Sequence, residues 1–245
     1  MKITMQRYLN SLLRDGSLDT PSFNALSSDK EVTSIIYQFS EEHPELKTAI
    51  APLARAYLAL VKCFETDGTF YLCGNGGSCA DAYHISGELM KSLERNRHLR
   101  PEDEQRFRGH CLFGAEELGK NLEYGFRTVV LGGNPSLSSA VANDIDPDLI
   151  YAQHLFASHP RKNDAFMGIS TSGNAANVLF AASVAKAYEL VTIGLTGPKG
   201  GLLGKNVDIS IRVPGTKTPR IQESGVPVYH ALCAMVEARF FKKLR

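Results

Sequence analysis

Five short apolar runs punctuate the chain, at 69–73, 128–132, 164–170, 190–196 and 207–213. Each is rich in Val, Ile, Leu or Phe with little strict alternation, the pattern of strands covered on both faces. Most end in a small or turn-forming residue. Helical periodicity follows several of them, at 77–92, at 135–142 with 147–157, and at 175–188, and a helical run over about 219–244 closes the chain. This alternation predicts an α/β fold, a mostly parallel, doubly wound sheet with right-handed crossovers. Residues 1–66 carry helical patterns alone. In 51–64, Leu53, Ala56, Tyr57, Leu60 and Val61 share one face, which suits packing on the sheet or on another subunit. One domain over 1–245 is the simplest organisation.

The stretch 91–127 breaks the pattern. It carries Glu94, Arg95, Arg97, Arg100, Glu102, Asp103, Glu104, Arg106 and Arg108, with a short helix expected at 115–124. A mixed-charge run reads first as an inserted, solvated surface excursion. Its length also suits a lid.

Composition narrows the classes. The chain has 245 residues, 43% hydrophobic and 22% charged, enough to bury a sizeable core. A formal net charge of +1 removes the electrostatic argument for nucleic acid or an anionic membrane as a partner. No apolar run approaches the ~18–20 residues of a membrane span. The opening Met-Lys-Ile-Thr-Met-Gln-Arg-Tyr lacks the apolar stretch of a secretory signal. Cys63, Cys73, Cys79, Cys111 and Cys233 are odd in number and contain no CxxC pair, which points to reduced thiols and a cytoplasmic protein.

Two loops expected at the carboxyl ends of strands, where open parallel sheets bind ligands, could hold a phosphate. In Cys73-Gly74-Asn75-Gly76-Gly77-Ser78 the glycines allow close backbone approach, and the helix that follows offers free N–H groups. Ser170-Thr171-Ser172-Gly173-Asn174 supplies three hydroxyls. Either loop alone is equally well a capped tight turn; both at corresponding places favour a phosphorylated small molecule. Cys79 stands where a dinucleotide fingerprint needs its third glycine, and no GxxxxGK[ST] occurs, so a nucleotide cofactor is disfavoured.

His84 and Glu88 are four residues apart on the helix after the first loop and share a face. Gln222 and His230 are eight apart on the last helix, with Pro227 expected to interrupt or kink it between them. The four could bind a divalent metal or supply an acid and a base; equally, the first pair is a surface ion pair and His230 a satisfied core histidine. Spacing alone does not bring the two helices together.

The combination of CGNGGS, HxxxE, AxANDxxxDxxYAQ, GISTSGNxxNV, LTGxxGG and RIQExxxxxxH resembles the sugar isomerase (SIS) domain family, over about residues 51–241. Within it the chain is most similar to the phosphoheptose isomerases, which interconvert sedoheptulose 7-phosphate and glycero-manno-heptose 7-phosphate. The resemblance implies a five-stranded parallel sheet between helices and a homotetramer with active sites shared between subunits. It assigns Asn75, Gly76, Ser78, Asp144, Ser170, Thr171, Ser172 and Gln222 to the substrate. It assigns His84, Glu88, Gln222 and His230 to a metal, zinc in several members, and Glu88 and His230 to acid–base catalysis.

The chemistry suits these residue types. Aldose–ketose isomerisation passes through an enediol and needs a base, an acid and a group that stabilises the developing oxyanion. Either Glu88 or His230 can take the carbon-bound proton, with His230 the preferred base. Three departures bear on the substrate: Ala175 replaces a serine, Ser92 an arginine, and Ser224-Gly225 the usual Ile-His after IQE. One of Arg95, Arg97 or Arg100 is therefore expected to reach the phosphate or sugar site, in this or a neighbouring subunit. The alternatives are an isomerase of another phosphosugar, or a non-catalytic sugar-phosphate sensor or protein-binding adaptor.

Overall fold

The computed structural model describes residues 2–14, 16 and 18–241. Helices α1 (Lys2–Arg14), α2 (Thr20–Ser28), α3 (Lys30–Glu42) and α4 (Ile50–Glu65) come first, with a 3-10 turn at Pro44–Ala49 before α4. Next are β1 (Phe70–Gly74), α5 (Gly77–Met90), α6 (Pro101–His110), α7 (Ala115–Asn121), β2 (Thr128–Val130) and α8 (Pro135–Asp144). A 3-10 turn at Pro147–Leu149 leads to α9 (Ile150–Ala157), β3 (Ala165–Ser170), α10 (Ala176–Ala187), β4 (Val191–Thr196), α11 (Leu203–Asn206), β5 (Ile209–Arg212) and α12 (Thr218–Phe240).

All five expected strands form and pair in parallel in the order β2-β1-β3-β4-β5. The chain turns in opposite directions after β1 and β3, so the topological switch point lies between them. Alternate residues of β1 serve two cores. Phe70 and Leu72 pack with Leu53, Leu60, Ile85, Val228 and Leu232 from α4, α5 and α12. Tyr71 and Cys73 pack with Tyr151, Leu155, Val178 and Ala181 from α9 and α10. Burial on both faces is why these strands read as continuous apolar runs.

Local chemistry trims the expected ends. β2 stops early because Gly132 takes φ +83° and turns the chain away. β5 starts late because Asp208 accepts from the Lys186 ammonium and from the Thr192 hydroxyl and amide. The expected face of α4 is buried at Leu53, Ala56, Tyr57, Leu60 and Val61. The last helix runs unbroken through Pro227. Pro227 withdraws one N–H, while buried Val228, Tyr229 and Leu232 hold the next turn in place. The expected residues 242–244 lie outside the described residues.

The excursion corrects the sequence reading. Arg95 and Arg97 are buried rather than solvated. Arg97 donates from Nε to Glu237, and neither side chain of this pair is exposed to solvent. Glu237 also accepts the Leu93 and Glu94 amides. Arg95 donates to Glu31 and to the Phe241 carbonyl. The Arg100 guanidinium stands over the Tyr124 ring. Arg95 and Arg97 are thus committed to partners within the fold and are not free to reach the glycine- and serine-bearing loops. Helix α6, unforeseen, has no buried residue; its signals are Pro101 at the start, acids in the first turn and Arg108 and His110 in the last.

Candidate active site

The loops after β1 and β3 lie side by side, since Gly74 pairs with Ile169 in neighbouring strands. Gly76 caps α5 at φ +54°, and a Cβ at Gly74 would run into the Ser78 backbone. Asn75 and Asn177, from the start of α10, exchange reciprocal amide bonds of 2.9 and 3.0 Å across the two loops. The Tyr151 hydroxyl donates to the Gly74 carbonyl and lies 3.0 Å from Asn75 Oδ1. In the second loop Ser170 Oγ accepts the Gly173 amide and Ser172 Oγ accepts the Asn174 amide. These bonds leave the hydroxyl protons uninvolved, and those protons are the donors an anion needs. Gly173 has φ +67°, and a Cβ there would strike the Gly200 carbonyl.

Ser78, Thr171 and Gln222 come together with Asp81 around a narrow cleft of about 10 Å³, room for a single water. Gln222 packs on Gly77. Asp144 is exposed at the end of α8, where its carboxylate accepts from Asn143.

Helices α5 and α12 run side by side in the same direction. Gln222 meets Gly77, Tyr229 meets Asp81, and Glu237 meets the segment just beyond α5. This register delivers His230 to the His84–Glu88 face. The Nε2 atoms of both histidines are 3.2 Å from Glu88 Oε1 and 3.4 Å from each other. Arg97 donates to the Glu88 and Leu89 carbonyls and so caps the helix end that carries Glu88.

The cluster fits a divalent cation. Among the described residues, the ligand atoms of His84, Glu88 and His230 all lie within 4.8 Å of one another. Glu88 Oε2 is buried with no hydrogen-bond partner, an atom that costs free energy unless a cation or donor meets it. The nearby Cys233 thiol is held protonated, since burial and then the Glu88 charge push its titration well above the ordinary range. Two imidazoles and a carboxylate are the donor set of many zinc sites. Gln222, the fourth residue expected at a metal, lies about two turns before His84 along α5.

A cavity of about 370 Å³ opens beside Glu88 and His230, lined among others by Gln38, Glu42, His43 and Glu94. Its size suits a small ligand. Its carboxylates suit hydroxyl groups and repel a phosphate. Sequence reasoning missed Asp81, Tyr229 and Asn177, and offered Arg97 as a ligand of the phosphate or sugar rather than as the cap on the Glu88 end of α5. Asp81 was legible in principle, three residues before His84 on one helical face; Tyr229 needed the packing of α12 against α5, and Asn177 the pairing of the two loops.

The SIS domain family model, a sugar isomerase domain, matches residues 123–197, which include β2, β3, β4 and the hydroxyl-bearing loop after β3. Phosphoheptose isomerase 2 of Campylobacter jejuni is 34% identical over 194 residues, 79% of this chain and 83% of that protein. The phosphoheptose isomerase of Rhodospirillum rubrum is 35% identical over 185 residues, 76% of this chain and 84% of that one. The solved phosphoheptose isomerase of Francisella tularensis covers 87% of this chain and 98% of its own at 27% identity and a TM-score of 0.63. That of Neisseria gonorrhoeae covers 82% and 93% at 28% identity and 0.61. The chain belongs to the phosphoheptose isomerase family.

Proposed function

We propose that the protein interconverts sedoheptulose 7-phosphate and glycero-manno-heptose 7-phosphate through an enediol. Its family makes it an enzyme acting on a phosphosugar. The observation that carries the reading is the meeting of His84 and His230 on one oxygen of Glu88, from two helices far apart in sequence. Backbone amides at Gly76 and Gly77, the Ser78 hydroxyl and those of Ser170, Thr171 and Ser172 bind the phosphate, with Asn75, Asp144 and Gln222 on the sugar. His230 takes the carbon-bound proton and Glu88 moves protons between the two oxygens. His84, Glu88 and His230 would hold a zinc ion; Gln222, packed on Gly77 about two turns from His84, is left to the sugar. Zinc supplies polarisation of a carbonyl when bound.

The phosphate loops and the His–Glu–His cluster are well separated along α5. Glu88 is about 16 Å of helix beyond Gly77, whereas a heptose 7-phosphate spans about 10 Å from carbonyl carbon to phosphorus by its bond lengths. That separation supports a homotetramer of single-domain chains whose active sites combine loops and catalytic groups from different subunits. No described helix is long and apolar enough to cross a membrane, and we place the enzyme in the cytoplasm. The deciding experiment incubates the purified protein with sedoheptulose 7-phosphate and with shorter ketose phosphates, with and without zinc. Zinc-dependent product from the heptose alone is expected; product from a shorter sugar alone would replace the substrate, and none from any would overturn the enzymatic reading.

A further inference from the structure

Tyr229 is 2% exposed and lies between Asp81 and His84, which share one face of α5. Its hydroxyl donates to Asp81 Oδ1 at 3.3 Å and lies 3.2 Å from His84 Nδ1. Its ring also stands edge-on to both His84 and His230, with centroids 5.4 and 5.1 Å away. A neutral imidazole has one N–H and one lone pair, and the partner of one nitrogen decides the role of the other. An ionised carboxylate only accepts, so the single phenolic proton belongs to the Asp81 bond. What the phenolic oxygen offers His84 is then a lone pair, and Nδ1 must carry the proton. The opposite arrangement, a phenol donating to Nδ1, would leave two acceptor oxygens facing each other across the Asp81 contact.

We infer that Tyr229, held by Asp81, is a positioning residue that fixes His84 in its Nδ1–H form. His84 Nε2 thereby presents a lone pair toward Glu88 Oε1 and His230 Nε2. A lone pair and a carboxylate oxygen 3.2 Å apart both offer electrons, which suits a cation. The inference deepens the reading of His84, Glu88 and His230 as a metal-holding acid–base cluster and rests on it. It assigns Tyr229 no contact with the sugar. Its work is to make the metal-facing nitrogen available in every molecule rather than in a fraction of them.

The test compares the wild-type protein with Tyr229→Phe, which keeps the ring and removes the hydroxyl, and with Asp81→Ala, which frees the phenol to donate to Nδ1. Histidine tautomers are read by nitrogen-15 NMR on metal-free, full-length protein at about pH 8.5, above the ordinary histidine range. The His84 signal is assigned by its loss in His84→Gln. Zinc affinity is read by competition with a chromophoric chelator. We expect Nδ1–H in the wild type and a shift toward Nε2–H in both variants. Zinc affinity should be 10- to 100-fold weaker in Tyr229→Phe, the usual effect of removing a partner of a metal-bound imidazole. Nε2–H in the wild type, or the same tautomer in all three proteins, overturns the inference even where zinc binds. Nδ1–H in the wild type with the shift in both variants, but no zinc uptake by the wild type, supports Tyr229's role and overturns the metal reading instead.

Discussion

His84 and His230 meet with their Nε2 atoms 3.4 Å apart, on helices whose shared register is set by core packing. Glu88 lies beneath both, its second oxygen buried without a partner. Such an arrangement is costly to fold unless a cation or a proton in transit occupies it. Polar cost without structural return is common at sites selected for chemistry.

Removing either acid–base group should stop isomerisation while the fold persists. Glu88→Gln and His230→Ala are each expected to lower turnover by about 10²- to 10⁴-fold, the range for lost general acid–base catalysis. Circular dichroism should match the wild type, because His230 is only partly buried and glutamine preserves the shape of Glu88. Full activity in either variant contradicts the assigned roles.

Phosphate binding should depend on the exposed serine of the second loop. Ser172→Ala removes one hydroxyl donor to a dianion, a loss of about 1.5–3 kcal/mol. KM for the sugar phosphate, or Kd for inorganic phosphate, should therefore rise by about 10- to 100-fold, with a smaller change in kcat. An unchanged KM would remove Ser172 from the site.

The buried pair Arg97–Glu237 gives a stability prediction. Arg97→Met strands a carboxylate that has no exposure and should cost about 3–5 kcal/mol in urea unfolding. Replacing both partners, Arg97→Met with Glu237→Leu, should recover much of that loss. If the double variant is no more stable than the single one, the stranded charge is not the cause.

His154 supplies a pH dependence. Burial holds its titration below the ordinary histidine value, and its Nδ1 accepts the Gly132 amide at 3.0 Å, a bond that protonation destroys. The unfolded chain binds this proton more readily than the folded one, so its contribution is intact above the unfolded pKa of about 6.5. The contribution is lost as pH falls below that value and through the lower folded pKa. His154→Asn keeps an acceptor without titrating. Melting temperatures of wild type and variant, compared from about pH 7.5 to 5, should diverge at the acid end; parallel curves would assign the acid sensitivity elsewhere.

The strands were legible because burial on both faces leaves an unbroken apolar run, as at Ala165–Ser170. Their ends were less so. Gly132's left-handed turn and the bonds of Asp208 depend on partners that a local window does not contain. Helix α6 escaped because it buries nothing and has no apolar period to read. Arg95 and Arg97 looked solvated for a related reason. Local charge density says nothing of Glu31 or Glu237, which neutralise them from distant helices.

The sequence by itself determined the α/β alternation, the two loops at the strand ends and the His84–Glu88 pair, because each is written in a spacing of a few residues. Tertiary structure alone decided that His230 joins that pair, that Asn177 ties the loops together and that Tyr229 stands between Asp81 and His84. Those contacts arise where α5 and α12, and α5 and α10, pack against the same sheet. Their register is fixed by the shape of two cores rather than by any residue near the site.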